Sequence, residues 1–439
     1  MLGDEAPTFF KVLERPPTKG LRVNTLKVSV RNFKTLTNWH LDPVPWSATG
    51  FVLKDEPQAG KHPYHAAGLY YLQDPSAMAV AELAQPDKGQ WVIDLAAAPG
   101  GKATHLASLM QDSGLLVAND VHKGRAKALS ENLERWGVKN ALISSSDIAT
   151  LAKLWGAHFD RVLLDAPCSG EGMFRKSDNA LSMWSEDTVL ACAKRQHELI
   201  AEAAMLVKPG GNLIYSTCTF SIEENEDVLT QFLDKHKSFE LLTSSLVAIQ
   251  ALKDSSLPYA GKTVRLFPHH HVGEGHFVAV LERKEGEVSR LKKATLKPVP
   301  KAVHSLWKAF MDKIADAELV DKRLALFGKQ LYALPETVPT LDKLYFLKAG
   351  LWLGTVHKNW FEPSHSLALS FSRENAKRLP HYDLIKDSLE LDRYLRGEVL
   401  EAAGEQGWVL ITVDGFPVGW AKRSATVLKN AYPKGLRRV

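Results

Sequence analysis

Cysteine is scarce in this chain of 439 residues. It has three cysteines, Cys168, Cys192 and Cys218. An odd number this small cannot form the disulfide framework of a small secreted protein. We therefore expect a protein of the reducing cytoplasm.

Long apolar runs are also absent. No stretch of eighteen consecutive apolar residues occurs, so we expect no membrane-spanning helix and no membrane partner. Residues 1–17 lack a basic segment followed by an apolar one, and we expect no secretory signal there. The composition, 45% hydrophobic and 24% charged, is that of an ordinary globular protein, which excludes disordered and fibrous classes for the whole chain.

Acidic residues are few in the last third of the chain. Residues 291–439 hold 24 Lys and Arg against 16 Asp and Glu, whereas residues 1–290 hold 31 against 34. The last nineteen residues contain six basic side chains and no acid. A localised basic surface is typical of nucleic-acid binding. A basic tail that is merely solvated remains an alternative at this point.

What the sequence does contain, from residue 90 onward, is an alternation of short apolar strands and amphipathic helices. The strands are predicted at 91–97, 114–120, 141–145, 161–167 and 212–218, and the helices at 101–111, 123–137 and 187–207. Strands that are apolar on both faces indicate a mostly parallel sheet covered by helices on both sides. The predicted fold class is α/β, with a Rossmann-like sheet.

The flanking regions have different patterns. We predict a small α+β region over 1–85, the sheet domain over 86–285, a linker and helical connector over 286–339, and a β-rich domain over 340–439. The connector begins with a charged, proline-containing segment, and a helix is predicted over 304–330. A hairpin is predicted at Asp414-Gly415. Because the predicted sheet is complete before residue 285, we expect a fragment that ends in the linker to fold.

A turn of small residues follows the first predicted strand, at the position where open α/β sheets bind ligands. This small-residue turn, or cofactor turn, runs from Asp94 to Lys102 with the sequence DLAAAPGGK. Asp120 and Asp147 follow the second and third strands, where carboxylates could accept hydrogen bonds from the ribose and the adenine of an adenosine. Each Asp alone is more often a helix cap or a turn residue. The missing third glycine weakens a pyrophosphate site, so the turn favours S-adenosylmethionine over NAD.

Two of the three cysteines follow strands of the same sheet. Cys168 lies in the turn after the fourth strand and Cys218 after the fifth, so both thiols should face the crevice of the cofactor turn. We interpret Cys192, within the helix at 187–207, as a buried structural residue. The two strand-end cysteines are fifty residues apart and have neither a CxxC motif nor a matching His pair, so no metal site is predicted.

Several motifs together resemble the RNA 5-methylcytosine methyltransferases of the NOL1/NOP2/Sun type. The resemblance covers about residues 20–280 and rests on DLAAAPGGK, DAPCSGEG and KPGGNLIYSTCTFSIEENE, with RVNTL, QDPS, LFPH and GEGHF in support. Many relatives have cysteine where this chain has Ala96. The C-terminal part of the chain, which ends in VDGFPVGWAKR and LKNAYPKGLRR, resembles the PUA-like tail of bacterial members that modify small-subunit ribosomal RNA.

The resemblance implies a class I methyltransferase that uses S-adenosyl-L-methionine to methylate carbon 5 of cytosine in RNA, expected to be 16S ribosomal RNA. It implies that Cys218 attacks carbon 6 of the base, that Cys168 assists release, and that Asp165 and Lys102 contact or place the base. The N-terminal region and the PUA-like domain would hold the RNA, and a monomer is expected. The predicted cofactor-binding residues are Ala96, Ala97, Ala98, Pro99, Gly100, Gly101, Lys102, Asp120, Arg125, Asp147 and Asp165.

Three other functions compete with this interpretation. The first is an NAD-dependent oxidoreductase, which the cofactor turn disfavours. The second is an RNA-binding assembly factor with an inactive methyltransferase fold, which the presence of Cys168, Cys218 and Asp165 disfavours. The third is a DNA cytosine methyltransferase, whose nucleophile is the Pro-Cys thiol; the additional Thr-Cys thiol favours RNA.

Overall fold

The computed structural model describes residues 2–56, 58–246, 258–288, 290–313 and 323–438. The N-terminal region forms an antiparallel sheet of four strands in the order β2-β3-β1-β4. Its elements are β1 (Gly20–Val23), β2 (Leu41–Val44), β3 (Ser47–Leu53), β4 (Tyr70–Leu72), α1 (Ala6–Leu13), α2 (Val30–Thr37), α3 (Pro63–Ala66) and α4 (Pro75–Ala84).

The central sheet has nine strands, and its core is the parallel arrangement predicted from the sequence. Its path is β10-β12-β9-β8-β5-β6-β7-β15, with β11 paired to β12, and β5 to β9 run parallel to their neighbours within that set. The strands are β5 (Trp91–Asp94), β6 (Leu115–Asn119), β7 (Ala141–Ser144), β8 (Phe159–Asp165), β9 (Val207–Thr217), β10 (Phe239–Leu241), β11 (Val264–Leu266), β12 (His276–Arg283) and β15 (Phe346–Ala349). The helices are α5 (Gly101–Leu109), α6 (Lys123–Trp136), α7 (Ile148–Trp155), α8 (Asp178–Met183), α9 (Glu186–Ala204) and α10 (Glu226–Lys235).

Burial explains why these segments form this sheet. Every residue of β6 and β7 is buried, and one hydrophobic cluster lies on each face of the sheet. Strands that bury both faces need helices on both sides, and the crossover helices supply them. The α/β fold class is confirmed.

The C-terminal part contains two further sheets. Their orders are β13-β14-β16-β17 and β18-β20-β21-β22-β19. Their strands are β13 (Arg323–Phe327), β14 (Gln330–Leu334), β16 (Leu351–Val356), β17 (Phe361–Pro363), β18 (His381–Leu384), β19 (Leu400–Glu401), β20 (Gly407–Val413), β21 (Phe416–Ser424) and β22 (Val427–Asn430). The helices are α11 (Lys301–Met311), α12 (His365–Leu369), α13 (Arg373–Ala376) and α14 (Leu389–Arg396).

The helix predicted over 304–330 is only partly correct. It is confirmed for α11, but residues 323–327 form β13, and residues 314–322 lie outside the described part of the chain. A turn with Gly328 at φ +61° lets Phe327 pair with Gln330, so hairpin pairing overrides the local helical preference. The hairpin at Asp414-Gly415 is confirmed, with both residues at positive φ between β20 and β21.

The C-terminal part is not independent of the catalytic sheet. Strand β15 pairs with β7 and forms one edge of the central sheet. The N-terminal sheet shares one hydrophobic cluster with the last sheet, and the Tyr64 hydroxyl donates a hydrogen bond to Asp414 Oδ2 at 2.7 Å. The expectation that the sheet is complete before residue 285 is therefore wrong. The bounds of the four predicted regions stay a prediction. None of the helices in the described ranges is long and apolar enough to cross a bilayer.

Candidate active site

The parallel strands end at a common edge of the central sheet, and the loops that follow them form the site. Strand β5 leads into the small-residue turn, β6 into Asp120, and β8 and β9 into the two cysteine loops. Ligands of open α/β sheets bind at this edge.

The two strand-end thiols are in contact. Cys168 Sγ lies 3.2 Å from Cys218 Sγ, and the Cys218 backbone N–H donates to Cys168 Sγ at 3.3 Å. The hydrogen bond to Cys218, together with burial, raises the pKa of the Cys168 thiol well above its ordinary value. At neutral pH Cys168 therefore stays protonated, and it can donate to the sulfur of Cys218.

A close approach between two glycines fixes the loop that carries Cys218. The Gly172 N–H donates to the Cys218 carbonyl at 2.8 Å. A Cβ on Gly172 would lie 2.7 Å from the Gly275 backbone and 2.9 Å from the Cys218 carbonyl oxygen. Only a residue without a side chain allows this approach.

Two glutamate carboxylates stabilise the cysteine loops by accepting hydrogen bonds from them. Glu171 Oε2 accepts hydrogen bonds from the Thr219 hydroxyl at 3.0 Å and the Phe220 amide at 2.9 Å. The buried Glu224 accepts from the Ser169 amide at 3.0 Å and from Gln196 at 2.8 Å. Both glutamates belong to the sequence motifs, but no role was predicted for them, because only the folded loops show which donors they satisfy.

Lys102 and Asp165 form an ion pair next to the thiols. Lys102 Nζ lies 2.7 Å from Asp165 Oδ2, and the Ser216 hydroxyl donates to Asp165 Oδ1 at 2.7 Å. Burial alone would raise the pKa of Asp165, but Lys102 and these hydrogen bonds lower it below its ordinary value. Burial opposes the charge on Lys102, yet Asp165, Asp94 and Cys218 raise its pKa. Both groups are therefore charged at neutral pH.

Two side chains of α6 hold the backbone of the small-residue turn. Gly100 has φ +118°, a conformation that favours glycine. The Ala98 carbonyl accepts from Arg125 at 2.9 Å, and the Pro99 carbonyl accepts from Asn132 at 2.8 Å. Arg125 therefore contacts the cofactor turn, and its contact with the cofactor stays a prediction.

Arg22 supports the same turn from the N-terminal region. Its fully buried guanidinium donates to the Gly101 carbonyl at 3.1 Å, to Thr104 at 2.7 Å and to Gln73 at 2.9 Å. Burial lowers the pKa of Arg22 to about 9. Arg22 and Gln73 were recognised only as parts of family motifs, and their contact with the cofactor turn was not predicted. Arg22 has no acidic residue near it in the sequence, so the sequence does not indicate that its side chain is buried beside the cofactor turn.

Two buried carboxylates beside the turn have oxygens without hydrogen-bond partners among the described residues. They are both oxygens of Asp94 and Oδ2 of Asp120. Burial and the neighbouring Asp165 raise the pKa of Asp94 to about 8. Asp120 Oδ1 accepts from the His122 amide at 2.9 Å, and the nearest cation to Oδ2 is Arg125 at 3.4 Å. These oxygens can accept hydrogen bonds from a polar ligand, so the site suits a ligand with ribose hydroxyls and an ammonium group.

The remaining predicted residues differ in their surroundings. Asp147 caps α7: its two oxygens accept from the amide and the hydroxyl of Thr150 at 2.8 and 2.9 Å, and the residue is exposed. Its role at the adenine stays a prediction. Cys192 lies within α9 and is half-buried rather than buried as expected, and burial raises its pKa.

The fold and the site define a Rossmann-like methyltransferase. The features that do so are the strand order, the glycine-containing turn after β5 and the polar side chains at the carboxyl edge of the central sheet. Family models match along the chain: 16S rRNA methyltransferase RsmB/F over residues 81–282 and the N-terminal domain of 16S rRNA methyltransferase RsmF over 1–75. The first C-terminal domain of RsmF matches residues 309–371, and the RsmF PUA domain matches 386–438.

Relatives of similar length carry one name, ribosomal RNA small subunit methyltransferase F. The protein from Vibrio vulnificus is 34% identical over 98% of this chain and 93% of its own, and that from an Enterobacter species is 32% identical over 98% and 92%. A crystal structure of a methyltransferase homolog from Pyrococcus horikoshii is 33% identical, with a TM-score of 0.56, over 64% of this chain and 91% of that one. The chain belongs to the RsmF family of 16S rRNA methyltransferases. The resemblance drawn from the motifs is confirmed.

Proposed function

We propose that this protein transfers a methyl group from S-adenosylmethionine to carbon 5 of a cytosine in 16S ribosomal RNA, with Cys218 as the covalent nucleophile. One observation carries the proposal: two thiols in contact at the carboxyl edge of a methyltransferase sheet, beside a Lys–Asp ion pair. A methyltransferase that modifies a nucleophilic oxygen or nitrogen needs no thiol. Two thiols suit a substrate carbon that must be activated by addition.

Carbon 5 of cytosine is a poor nucleophile until a group adds to carbon 6. When the Cys218 sulfur forms a bond to carbon 6, carbon 5 becomes an enamine carbon that can accept the methyl group. The contact between the two sulfurs supports these roles, because the Cys168 S–H can donate a hydrogen bond to a Cys218 thiolate and remains within reach of the adduct that Cys218 forms.

Release requires a base that removes the proton from carbon 5. Once the Cys218 sulfur is bonded to carbon 6 it is a neutral thioether, so Cys168 no longer donates its hydrogen bond to a thiolate. Cys168 can then lose its proton to solvent and accept the proton from carbon 5. The electron pair of that C–H bond re-forms the double bond between carbons 5 and 6, and the Cys218 sulfur leaves with the electrons of the C–S bond.

The Lys102–Asp165 ion pair can bind the polar edge of the target cytosine. The ionised Asp165 can accept a hydrogen bond from the exocyclic amino group of cytosine. The ammonium of Lys102 can stabilise the negative charge that builds up on the ring during thiolate addition. Because Ser216 also bonds Asp165, the carboxylate is fixed before the base arrives.

The residues around the small-residue turn would hold the cofactor. The cofactor would lie against Ala96, Ala97, Ala98, Pro99, Gly100 and Gly101. Beside them, Asp94 has two oxygens that make no hydrogen bond within the described residues, and Asp120 Oδ2 has only the Arg125 guanidinium, at 3.4 Å. When bound there, S-adenosylmethionine supplies an electrophilic methyl group. Arg125 acts by holding the Ala98 carbonyl and by facing Asp120.

The identity of the methylated atom tests the proposal. The enzyme would be incubated with small ribosomal subunits from a deletion strain and S-adenosylmethionine carrying a labelled methyl group, and the RNA then digested to nucleosides for mass spectrometry. We expect the label in 5-methylcytidine and none with the Cys218→Ala variant. Label in a ribose-methylated or N4-methylated nucleoside would contradict the proposed chemistry.

A further inference from the structure

We propose that a groove in the C-terminal half binds a single-stranded RNA segment by stacking an unpaired base on Trp360; this rests on the proposed RNA substrate. The groove is a cavity of about 850 Å³. We call it the Trp360 groove, and its lining includes Phe310, Trp360, Glu405, Trp408, Lys422 and Arg423. Trp360 lies in the region that matches the first C-terminal domain, and Trp408 and Lys422 lie in the PUA match.

Trp360 is a large apolar side chain held in an exposed position. It lies in the turn between β16 and β17 and is 44% exposed. The ring of His357 stacks on the indole with centroids 4.0 Å apart and planes inclined by 3°. His357 is fixed in turn, because its Nε2 lies 2.8 Å from Glu362 Oε2 and its amide donates to the Trp360 carbonyl at 3.0 Å. An indole that is already ordered loses little conformational freedom when a base stacks on it.

Basic side chains accompany the two indoles. Lys422 Nζ lies 5.2 Å from the centroid of Trp360 and 5.8 Å from that of Trp408. Lys422 is directly opposite Trp408 on one neighbouring strand and Lys429 on the other, and residues opposite each other in antiparallel strands share a face. Within the described residues, neither lysine forms an ion pair with a carboxylate.

Exposed aromatic rings beside basic side chains in the Trp360 groove favour unpaired RNA over duplex RNA. Bases stack on aromatic side chains only when they are not covered by neighbouring base pairs, whereas a duplex offers mainly phosphates and 2′-hydroxyls. Three basic residues line the groove, Lys313, Lys422 and Arg423, against one described acid, Glu405, which suits a phosphate backbone. The flexible Lys422 side chain can swing aside as a base enters and pair with the adjoining phosphate.

Binding of a short oligonucleotide to the full-length protein tests this inference without any catalytic readout. The probe is a fluorescein-labelled, single-stranded oligoadenylate of eight nucleotides, and the readout is fluorescence anisotropy at three salt concentrations. We expect Trp360→Ala to weaken binding about tenfold and Trp360→Phe to retain most of it. Lys422→Ala should weaken binding and reduce the slope of log affinity against log salt by about 0.7. Lys329→Ala, an exposed lysine outside the groove, removes the same charge and should match the wild type.

Two further measurements separate base stacking from phosphate binding and from a loss of folding. An abasic oligomer of the same length should bind wild type and Trp360→Ala equally. Affinity for S-adenosylmethionine, which is independent of RNA, should be the same in every variant and so reports on folding. Unchanged oligoadenylate binding in Trp360→Ala would overturn the inference, even if the variant bound assembled subunits less well, since that pattern indicates a protein partner. An equal loss for a duplex of the same length would overturn base stacking. Failure of the methyl-transfer chemistry would leave these binding results unaffected.

Discussion

Replacing Asp120 with asparagine should weaken S-adenosylmethionine binding by about 10- to 150-fold. Asparagine can keep the hydrogen bond that Oδ1 accepts from the His122 amide, so the turn after β6 is preserved. It replaces the buried Oδ2, which makes no hydrogen bond within the described residues and has Arg125 at 3.4 Å, with an amide nitrogen that cannot accept hydrogen bonds from ribose hydroxyls. A hydrogen bond that involves a charged group contributes about 1.5–3 kcal/mol, which gives the stated range.

Isothermal titration calorimetry with the purified full-length protein measures this change. Asp234→Asn is the matched control, because it removes the same charge from an exposed position on α10 and should not alter cofactor affinity. An Asp120→Asn variant that bound S-adenosylmethionine within twofold of the wild type would show that Oδ2 does not contact the cofactor. RNA affinity should be unchanged in both variants.

Two other predictions follow from the buried Asp94 and from the shared core. Because the pKa of Asp94 is about 8 in the free protein, its carboxyl is mostly neutral at pH 7, and a positively charged cofactor favours the ionised form. Binding should therefore release a proton, and affinity should rise with pH up to about 8 and then level off; Asp94→Asn should show neither effect in calorimetry with two buffers of different ionisation enthalpy. A binding enthalpy that is independent of the buffer in the wild type would contradict this. A fragment of residues 1–300 lacks β15 and the sheet that completes the N-terminal core, so it should melt at a lower temperature than the full chain or aggregate. A cooperative melt at the temperature of the full chain would show that these contacts add little stability.

The central sheet could be predicted from the sequence because its determinants are local. Strands β5 to β8 are short apolar runs separated by amphipathic helices, and this pattern has few alternative folds. Their order also places the residues that follow the strands at one edge, so contact between the loops of Cys168 and Cys218 was an expected consequence.

Other features depend on contacts between distant parts of the chain. Strand β15 pairs with β7 about two hundred residues away, and nothing in its own four residues specifies that partner. Arg22 is buried because Gly101, Thr104 and Gln73 supply acceptors, and no single segment shows this. Asp147 is predicted at the adenine from its position alone; its carboxylate caps α7, and its role at the adenine stays a prediction.

Covalent capture of RNA by single-cysteine variants tests the central claim most directly. Cys168→Ala and Cys218→Ala would each be incubated with small-subunit RNA and S-adenosylmethionine, and the products separated on a denaturing gel. We predict that Cys168→Ala accumulates a protein–RNA adduct, because Cys218 still adds to carbon 6 while release stalls, and that Cys218→Ala forms none. An adduct with Cys218→Ala and none with Cys168→Ala would reverse the two roles and contradict the account.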